Sequence, residues 1–485
     1  MSLINDYPQL RVIQEIAEKE KSAIFLVGGM PRDYLLGLRK NDFDFAVSKG
    51  ALKLARLFAQ TIRGAFILLD EENKCGRVAK KEKGELFTYD FADFRSKTLL
   101  GDLSHRDFTI NTLSVSLKEA LGGKSVNCLI KDRKGGLKDL KSKLIRMTGG
   151  EVFKDDPLRI LRAFSLRSTL GFKIEAKTIS QIRKDNKLLS KASPERIREE
   201  LFKILGTGNS AKIIKEMDKL GLIEAIIPQV KVMFSCFQGG YHDLDVWKHS
   251  LETLSEIDKL DSYAKAHPDL CGYLSENIAS QRPRLSLIKL AALLHDIGKP
   301  DTKKKEQGKI SFHGHERLGK AIVRDIACQL KLSTDERHIL EDIVLWHLRP
   351  GYLSNMKKPT ERSVYRFFRD AKKEAPGILF LSVADQRATR GPMTLKKDLK
   401  HHEKICFGLI GKYFDKAKEK PFVPLIDGYE IMKSLKIKPS VAVGKILAEL
   451  KEKQILGKIK DKKEALVLAQ KTYNKISRSR SRYED

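Results

Sequence analysis

Asp42 and Asp44 stand two residues apart in DFDFAV, so in an extended chain both carboxylates face one side while Phe43, Phe45 and Val47 face the other. Two carboxylates so placed repel one another and disfavour a strand unless a cation lies between them. Mg²⁺ commonly takes one or two carboxylates together with substrate phosphates. Just upstream, IFLVGGMPRDYLLG reads as strand, glycine turn and helix. Gly28 and Gly29 let the backbone approach a ligand, and N–H groups at the start of a helix, with Arg32 one turn on, form a phosphate cradle. A strand ending in Gly-Gly is often a plain turn, and a lone DxD is often a solvated edge. In succession they point to a metal and a nucleotide phosphate.

A second constellation lies at about residues 245–390, in VWKHSLETL, LAALLHDIGKP, FHGHERLG, IVLWHLRP and SVADQRA. His295 and Asp296 are adjacent in an otherwise apolar helix, an expensive place for charge unless it is paired or metal-bound. His249, His295, Asp296 and Asp385 together resemble the four-ligand signature of HD-domain phosphohydrolases, and His315 and His347 fall where bimetallic members carry extra ligands. Imidazoles and carboxylates suit Mg²⁺, Mn²⁺, Ni²⁺, Fe or Zn²⁺ alike, so the residue types leave the metal open. His242, His401 and His402 fall outside the pattern and read as surface or structural.

The elements that must position these groups follow from the hydropathy pattern. The first ~145 residues hold the strand signals Ile24–Val27, Phe43–Val47, Phe66–Leu69 and Glu85–Phe91, separated by helical or glycine-containing stretches. From about Asp156 the period is helical, as in DPLRILRAFSLRSTLGF and PERIREELFKIL, with Pro194 at a helix start. The expected fold class is α+β: a mixed α/β head followed by all-helical segments. The expected divisions are 1–145, a catalytic head; 146–235, a helical neck; 236–390, a helical metal-binding block; and 391–485, a basic helical tail ending in a frayed SRSRSRYED.

Composition narrows the partner. The 485 residues carry 93 Lys and Arg against 63 acids, a formal charge of +30, and the last 95 residues alone carry 23 basic and 12 acidic side chains. Such a surplus favours a polyanion, because neutralising phosphates releases counterions. There is no apolar run near the ~20 residues needed to span a bilayer and no secretory leader at MSLINDYPQL. Six scattered cysteines without a C-x-x-C pair exclude a disulfide scaffold or a cysteine zinc site and suit a reducing cytoplasm.

VGGMPRDYLLG followed by DFDFAV resembles the opening motif of class II tRNA nucleotidyltransferases and bacterial poly(A) polymerases, within the polymerase-β-like superfamily. The resemblance continues in order through HRDFTINTLSV, DDPLRILRAFSLRSTLGF, PERIREEL and IKPSVAVGKILAELKEKQILG, and so covers nearly the whole chain. It implies that Asp42 and Asp44 hold the Mg²⁺ ions that activate a tRNA 3′-hydroxyl and bridge a nucleoside triphosphate. Asp90 takes the place of the family's third carboxylate, usually Glu. Arg106 and Asp107 match the ribose-holding Arg-Arg-Asp, with His105 replacing its first Arg. Asp156 and Arg159 match the base-reading pair, expected at i and i+3 on one helix, with Asp155 where Glu is usual. The resemblance extends nucleotide binding to Gly28, Gly29, Arg32, Arg162 and Arg198, with Glu195, Arg196 and Arg198 in a helix that buttresses the pocket or forms surface ion pairs.

The implied activity is template-independent addition of CCA, or only CC or only A, to tRNA from CTP and ATP, with an accessory HD phosphohydrolase. Alternatives are a bacterial poly(A) polymerase, a protein that is chiefly an HD phosphohydrolase, and a non-catalytic RNA-binding protein. Ten residues separate Arg95 from Arg106. In the family, complete CCA-adding enzymes usually carry a longer mobile loop there, and a short segment resembles enzymes that add CC or A alone.

Overall fold

The computed structural model describes residues 3–121, 129–240, 243–307, 309–419 and 422–481; His242 lies outside them. The chain divides into two compact units, residues 1–228 and 229–485.

The first unit is organised by a seven-stranded sheet of β1 (Ile24–Val27), β2 (Asp42–Val47), β3 (Ala65–Asp70), β4 (Cys75–Glu82), β5 (Glu85–Asp93), β6 (Ser114–Ser116) and β7 (Ile130–Lys131), in the order β3-β4-β5-β2-β1-β6-β7. The β2–β5 pair is parallel and the others are antiparallel. The four expected strands all form. β4 had no alternating apolar signal, since its CGRVAKKE is mostly polar, and it forms because it pairs with β3 on one side and β5 on the other.

Alternation in β2 and β5 drives the core. Phe43, Phe45, Tyr89 and Phe91 are buried, with Phe43 stacked on Tyr89 at 5.1 Å between centroids and Phe45 on Phe91 at 5.0 Å. Phe58, from the helix Ala51–Ile62, closes the cluster from above. Each such ring contributes about 1.5–3 kcal/mol by burial. Because side chains alternate, the same packing turns Asp42, Asp44 and Asp90 to the opposite face. Leu144–Ile145 pairs in parallel with Lys173–Ile174, joining the sheet domain to the helices Arg159–Leu170 and Pro194–Leu205.

The second unit is helical, with two small β-hairpins, 277–283 and 304–311, where an all-helical chain was expected. Its core helices Val246–Lys259, Arg284–Leu294, Thr334–Trp346 and Ala375–Ala388 bury apolar faces, and Ala375–Ala388 is covered over most of its surface. Lys396–Ala417 buries His402, Cys406, Leu409 and Ile410. Beyond it, the helices Gly428–Leu435, Val441–Ile455 and Lys462–Ser481 share a separate core of Ile431, Ile446, Leu450, Ala465 and Ala469. The expected frayed tail is helical as far as Ser481. All five described cysteines are free thiols, and among the described residues no helix is long and apolar enough to cross a membrane.

Candidate functional sites

In the first unit, β1 pairs with β2 so that Val27 lies opposite Asp44, and the chain turns at Gly28 into the helix Gly29–Leu35. Gly28 has φ +79°, and a Cβ there would meet Asp44 Oδ2 at 2.6 Å and Arg106 Nη1 at 3.1 Å. The turn needs glycine both for its backbone angle and because the Asp44 carboxylate lies against it. Asp90 is the register partner of Asp44 across the parallel β2–β5 pair. Asp42 is exposed and accepts a hydrogen bond from the Thr88 hydroxyl. Desolvation raises the Asp44 pKa; Arg106 and Arg162 oppose it, and Asp90 and Asp42 reinforce it.

Arg32 lies one turn past Gly28 in the helix Gly29–Leu35. It is 6% exposed, folded onto Asp33 (Nε–Oδ1 2.8 Å) and the Asn111 side chain, so it braces the wall of the site. Arg106 does reach the carboxylates. Burial lowers its pKa against the pull of Asp44, Asp102 and Asp107. Its Nε stands 3.8 Å from Asp102 Oδ2, and both atoms are buried without a hydrogen bond. Asp107 Oδ1 accepts from the Phe108 N–H (2.8 Å) and the Asn111 amide (2.9 Å), and its Oδ2 is ion-paired with Arg162 Nε at 3.0 Å. Burial works against its charge, but Arg162 and these hydrogen bonds outweigh it and hold its pKa below the usual range.

Asp156 and Arg159, expected at i and i+3 on one helix, do not share one. Pro157 keeps the residue before it extended, so Asp156 (φ −150°, ψ 101°) sits in the link between two helices, and the second begins only at Arg159. Arg159 donates to the carbonyls of His105 (2.8 Å) and Val152 (3.3 Å). Arg196 instead forks onto Asp156, with Nη2–Oδ2 2.7 Å and Nη1–Oδ1 3.3 Å. The two residues are 40 apart, so no local spacing pairs them. Arg198, from the same helix, turns to Glu199 at 2.9 Å.

In the second unit, all six expected ligands converge. His249 Nε2 is 2.8 Å from Asp385 Oδ1, and His295 Nε2 is 3.7 Å from that oxygen and 3.2 Å from Asp296 Oδ2. On its other side, Asp296 Oδ1 faces His315 Nε2 at 3.4 Å and His347 Nε2 at 3.6 Å. Two ligand groups result, His249–His295–Asp385 and Asp296–His315–His347, each with its ligand atoms within 4.8 Å of one another. Asp296 touches both, as a carboxylate bridging two ions would. His295 and Asp296 fall just past the end of the helix Arg284–Leu294. His295, His315 and His347 each bond Nδ1 to the carbonyl three residues back, at 3.0, 2.7 and 2.7 Å. That bond places a proton on Nδ1 and aims Nε2 inward. His295 Nε2 is buried with no hydrogen bond, the kind of orphan a metal satisfies.

Burial lowers the His347 pKa. It also opposes charge on His295, but Asp296 and Asp385 override it and lift that pKa to about 10. Lys299, not anticipated though one turn past Asp296, reaches Asp296 Oδ2 at 2.6 Å and Gln238 Oε1 at 2.7 Å. A cavity of about 740 Å³ opens over the cluster, lined by Asp296, Lys299, His315, His347, Tyr352 and Asp385. His402 is buried between Ser354 and Ser382, and His401 is partly buried at the surface.

Two constellations in this order match known families. The family described as "Poly A polymerase head domain" matches residues 24–146, "Probable RNA and SrmB- binding site of polymerase A" matches 171–234, and "HD domain" matches 246–389. The chain is 31% identical over 455 residues to the A-adding tRNA nucleotidyltransferase of Deinococcus radiodurans, covering 92% of this chain and 94% of that protein. It belongs to the tRNA nucleotidyltransferase and poly(A) polymerase family. The CC-adding tRNA nucleotidyltransferase of Thermus thermophilus is 28% identical, covering 91% and 92%. Among solved structures, the Thermotoga maritima CCA-adding enzyme complexed with tRNA shares the fold (TM-score 0.60, 21% identity, 96% and 94% covered). So does a CCA-adding enzyme with ATP (TM-score 0.64, 21% identity, 96% and 95% covered).

Proposed function

We propose that this protein is a metal-dependent, template-independent tRNA nucleotidyltransferase that transfers CMP or AMP from CTP or ATP to the tRNA 3′ end. The observation that carries the reading is the sheet face where Asp42 and Asp44 lie beside the Gly28 turn and Arg106. Their hard oxygens suit Mg²⁺, which when bound would lower the 3′-hydroxyl pKa and neutralise the triphosphate. The 3′-oxygen bonds to the α-phosphorus, the bond to pyrophosphate breaks, and the hydroxyl proton leaves to solvent. Arg106 lies where it can offset phosphate charge. Asp107, pinned by Arg162 and Asn111, is placed for the ribose. Asp156, aimed by Arg196, is placed to accept from the exocyclic amine that cytosine and adenine share.

Within this activity the reading favours partial addition, of CC or of A. The segment between Arg95 and Arg106 folds as the short helix Leu99–Ser104, capped by Thr98 and anchored by buried Asp102 and Leu103. Complete enzymes of the family usually have a longer mobile loop here. The relatives named A-adding and CC-adding align over nine tenths of both chains. The decisive assay supplies tRNA ending before CCA, after C, or after CC, with labelled CTP or ATP, and sizes the products. Long A-only extension would instead identify a poly(A) polymerase.

The six HD ligands support a second, hydrolytic activity on phosphate esters, with Mg²⁺, Mn²⁺, Ni²⁺, Fe or Zn²⁺ as the metal. His295→Ala with Asp296→Ala should abolish it and leave nucleotide addition at a comparable rate. No hydrolysis by the unaltered protein with any of these metals would leave the cluster a structural role.

A further inference from the structure

The carboxylate face of the sheet carries a basic residue that nothing above has used. Arg77 on β4 is the direct register partner of Asp90 on β5, and Asp90 is the partner of Asp44 on β2, so the three lie along one rung of the sheet. Arg77 grips Asp90 through both oxygens, with Nε–Oδ1 2.7 Å and Nη2–Oδ2 2.8 Å. This fork–fork geometry is the strongest kind of carboxylate pairing, and its charge does not titrate away. The Arg77 side chain is 39% exposed and that of Asp90 22%, so the pair borders the open site.

Two consequences follow from this placement. Both Asp90 oxygens already face a cation, and a divalent ion approaching them would meet the repulsion of the guanidinium. Consistently, among the described residues the only groups of three or more candidate ligands within 4.8 Å are the two in the HD unit; Asp42, Asp44 and Asp90 do not form a third. Asp42 and Asp44 are not forked in this way: Asp42 takes the neutral Thr88 hydroxyl, and Asp44 lies between Val27 and Asp90 across the sheet, with Arg106 the foremost opposing charge.

We propose that Arg77 is a positioning residue of the nucleotidyl-transfer site, which clamps Asp90 out of the metal set and sets a fixed positive charge beside Asp42 and Asp44. The inference rests on the reading of Asp42 and Asp44 as the metal-holding pair. Asp90 then acts as the anchor for a permanent cation, and the site depends on two carboxylates where a third would otherwise serve.

The test measures Mn²⁺ binding by the electron paramagnetic resonance of free Mn²⁺, using full-length protein with the HD cluster silenced by His295→Ala and Asp296→Ala in every sample. Asp44→Asn should weaken binding at least about tenfold, whereas Asp90→Asn, which removes no metal ligand but leaves Arg77 unpaired, should weaken it clearly less, by about threefold. Arg77→Gln removes the fixed charge and frees a carboxylate, so Mn²⁺ should bind about tenfold tighter, with Arg77→Lys in between because it keeps the charge and loses the fork. The Mg²⁺ concentration giving half-maximal nucleotide addition should fall in the same order. A merely structural ion pair would lower the melting temperature without tightening metal binding. Asp90→Asn as damaging as Asp44→Asn, or Arg77→Gln no tighter than the parent, would overturn the inference while leaving the site intact. Unchanged binding in Asp44→Asn would overturn the site reading as well.

Discussion

Replacing Gly28 by alanine separates backbone strain from damage to the carboxylate site. At φ +79° and ψ −134° an L-residue is in a region used almost only by glycine, so the strain alone costs about 1–3 kcal/mol. The added Cβ would also stand 2.6 Å from Asp44 Oδ2, well inside the 3.4 Å at which ordinary contact begins, so the carboxylate must retreat by about 1 Å. A displacement of about that size costs about 100-fold in rate when it falls on a group that orients the reacting atoms. Gly50 is the matched control: φ is +78°, but nothing lies within 4 Å of its Cβ position. Gly50→Ala should therefore lose about 1 kcal/mol of stability and keep its rate within about twofold. The assay is single-turnover addition of a labelled nucleotide at saturating Mg²⁺, with thermal denaturation of both variants. Gly28→Ala working at the unaltered rate, or slowed no more than Gly50→Ala, would refute the placement of Asp44 against the turn.

Three further outcomes are expected. Asp156→Ala should lower discrimination against UTP by about tenfold while slowing CTP or ATP addition, with Arg196→Ala showing a weaker form of the same defect; the check is misincorporation with each of the four nucleotides, and equal losses for all four would place base reading elsewhere. Glu336 is buried and forked by Arg282 at 2.6 and 3.1 Å; burial opposes its charge, but Arg282 and Ser333 prevail and hold its pKa below 4.5, so the pair's stabilisation is full above about pH 4.5 and lost as pH falls through the folded-state value. Glu336→Gln should accordingly destabilise at neutral pH by about 3–5 kcal/mol and flatten the fall of the melting temperature below about pH 4.5, and a profile parallel to the parent would contradict the pairing. Removing residues 422–485, whose helices share their own core, should weaken tRNA binding and its salt dependence far more than binding of CTP or ATP, as read by titration at several salt concentrations.

Much of the molecule was legible in the chain because its signals are local. Alternation in DFDFAV placed Asp42 and Asp44 opposite Phe43 and Phe45, since one residue of phase decides which face meets the core. The HD ligands were legible through their resemblance to the HD signature: charge just past the apolar helix Arg284–Leu294 has to be satisfied, and the structure shows it converged on by four more candidate ligands. Where a partner came from distant sequence and no motif marked it, the chain was silent. β4 is polar and gains its place only by pairing between β3 and β5, and that pairing alone brings Arg77 onto Asp90. Pro157 broke the helix on which Asp156 and Arg159 were expected to project together, and Arg196 took up the carboxylate from 40 residues away. Residue types and periods determined which groups face the solvent side of a strand or the inside of a helical unit. Which cation each carboxylate meets is a matter of through-space distance, and only the tertiary structure decided it.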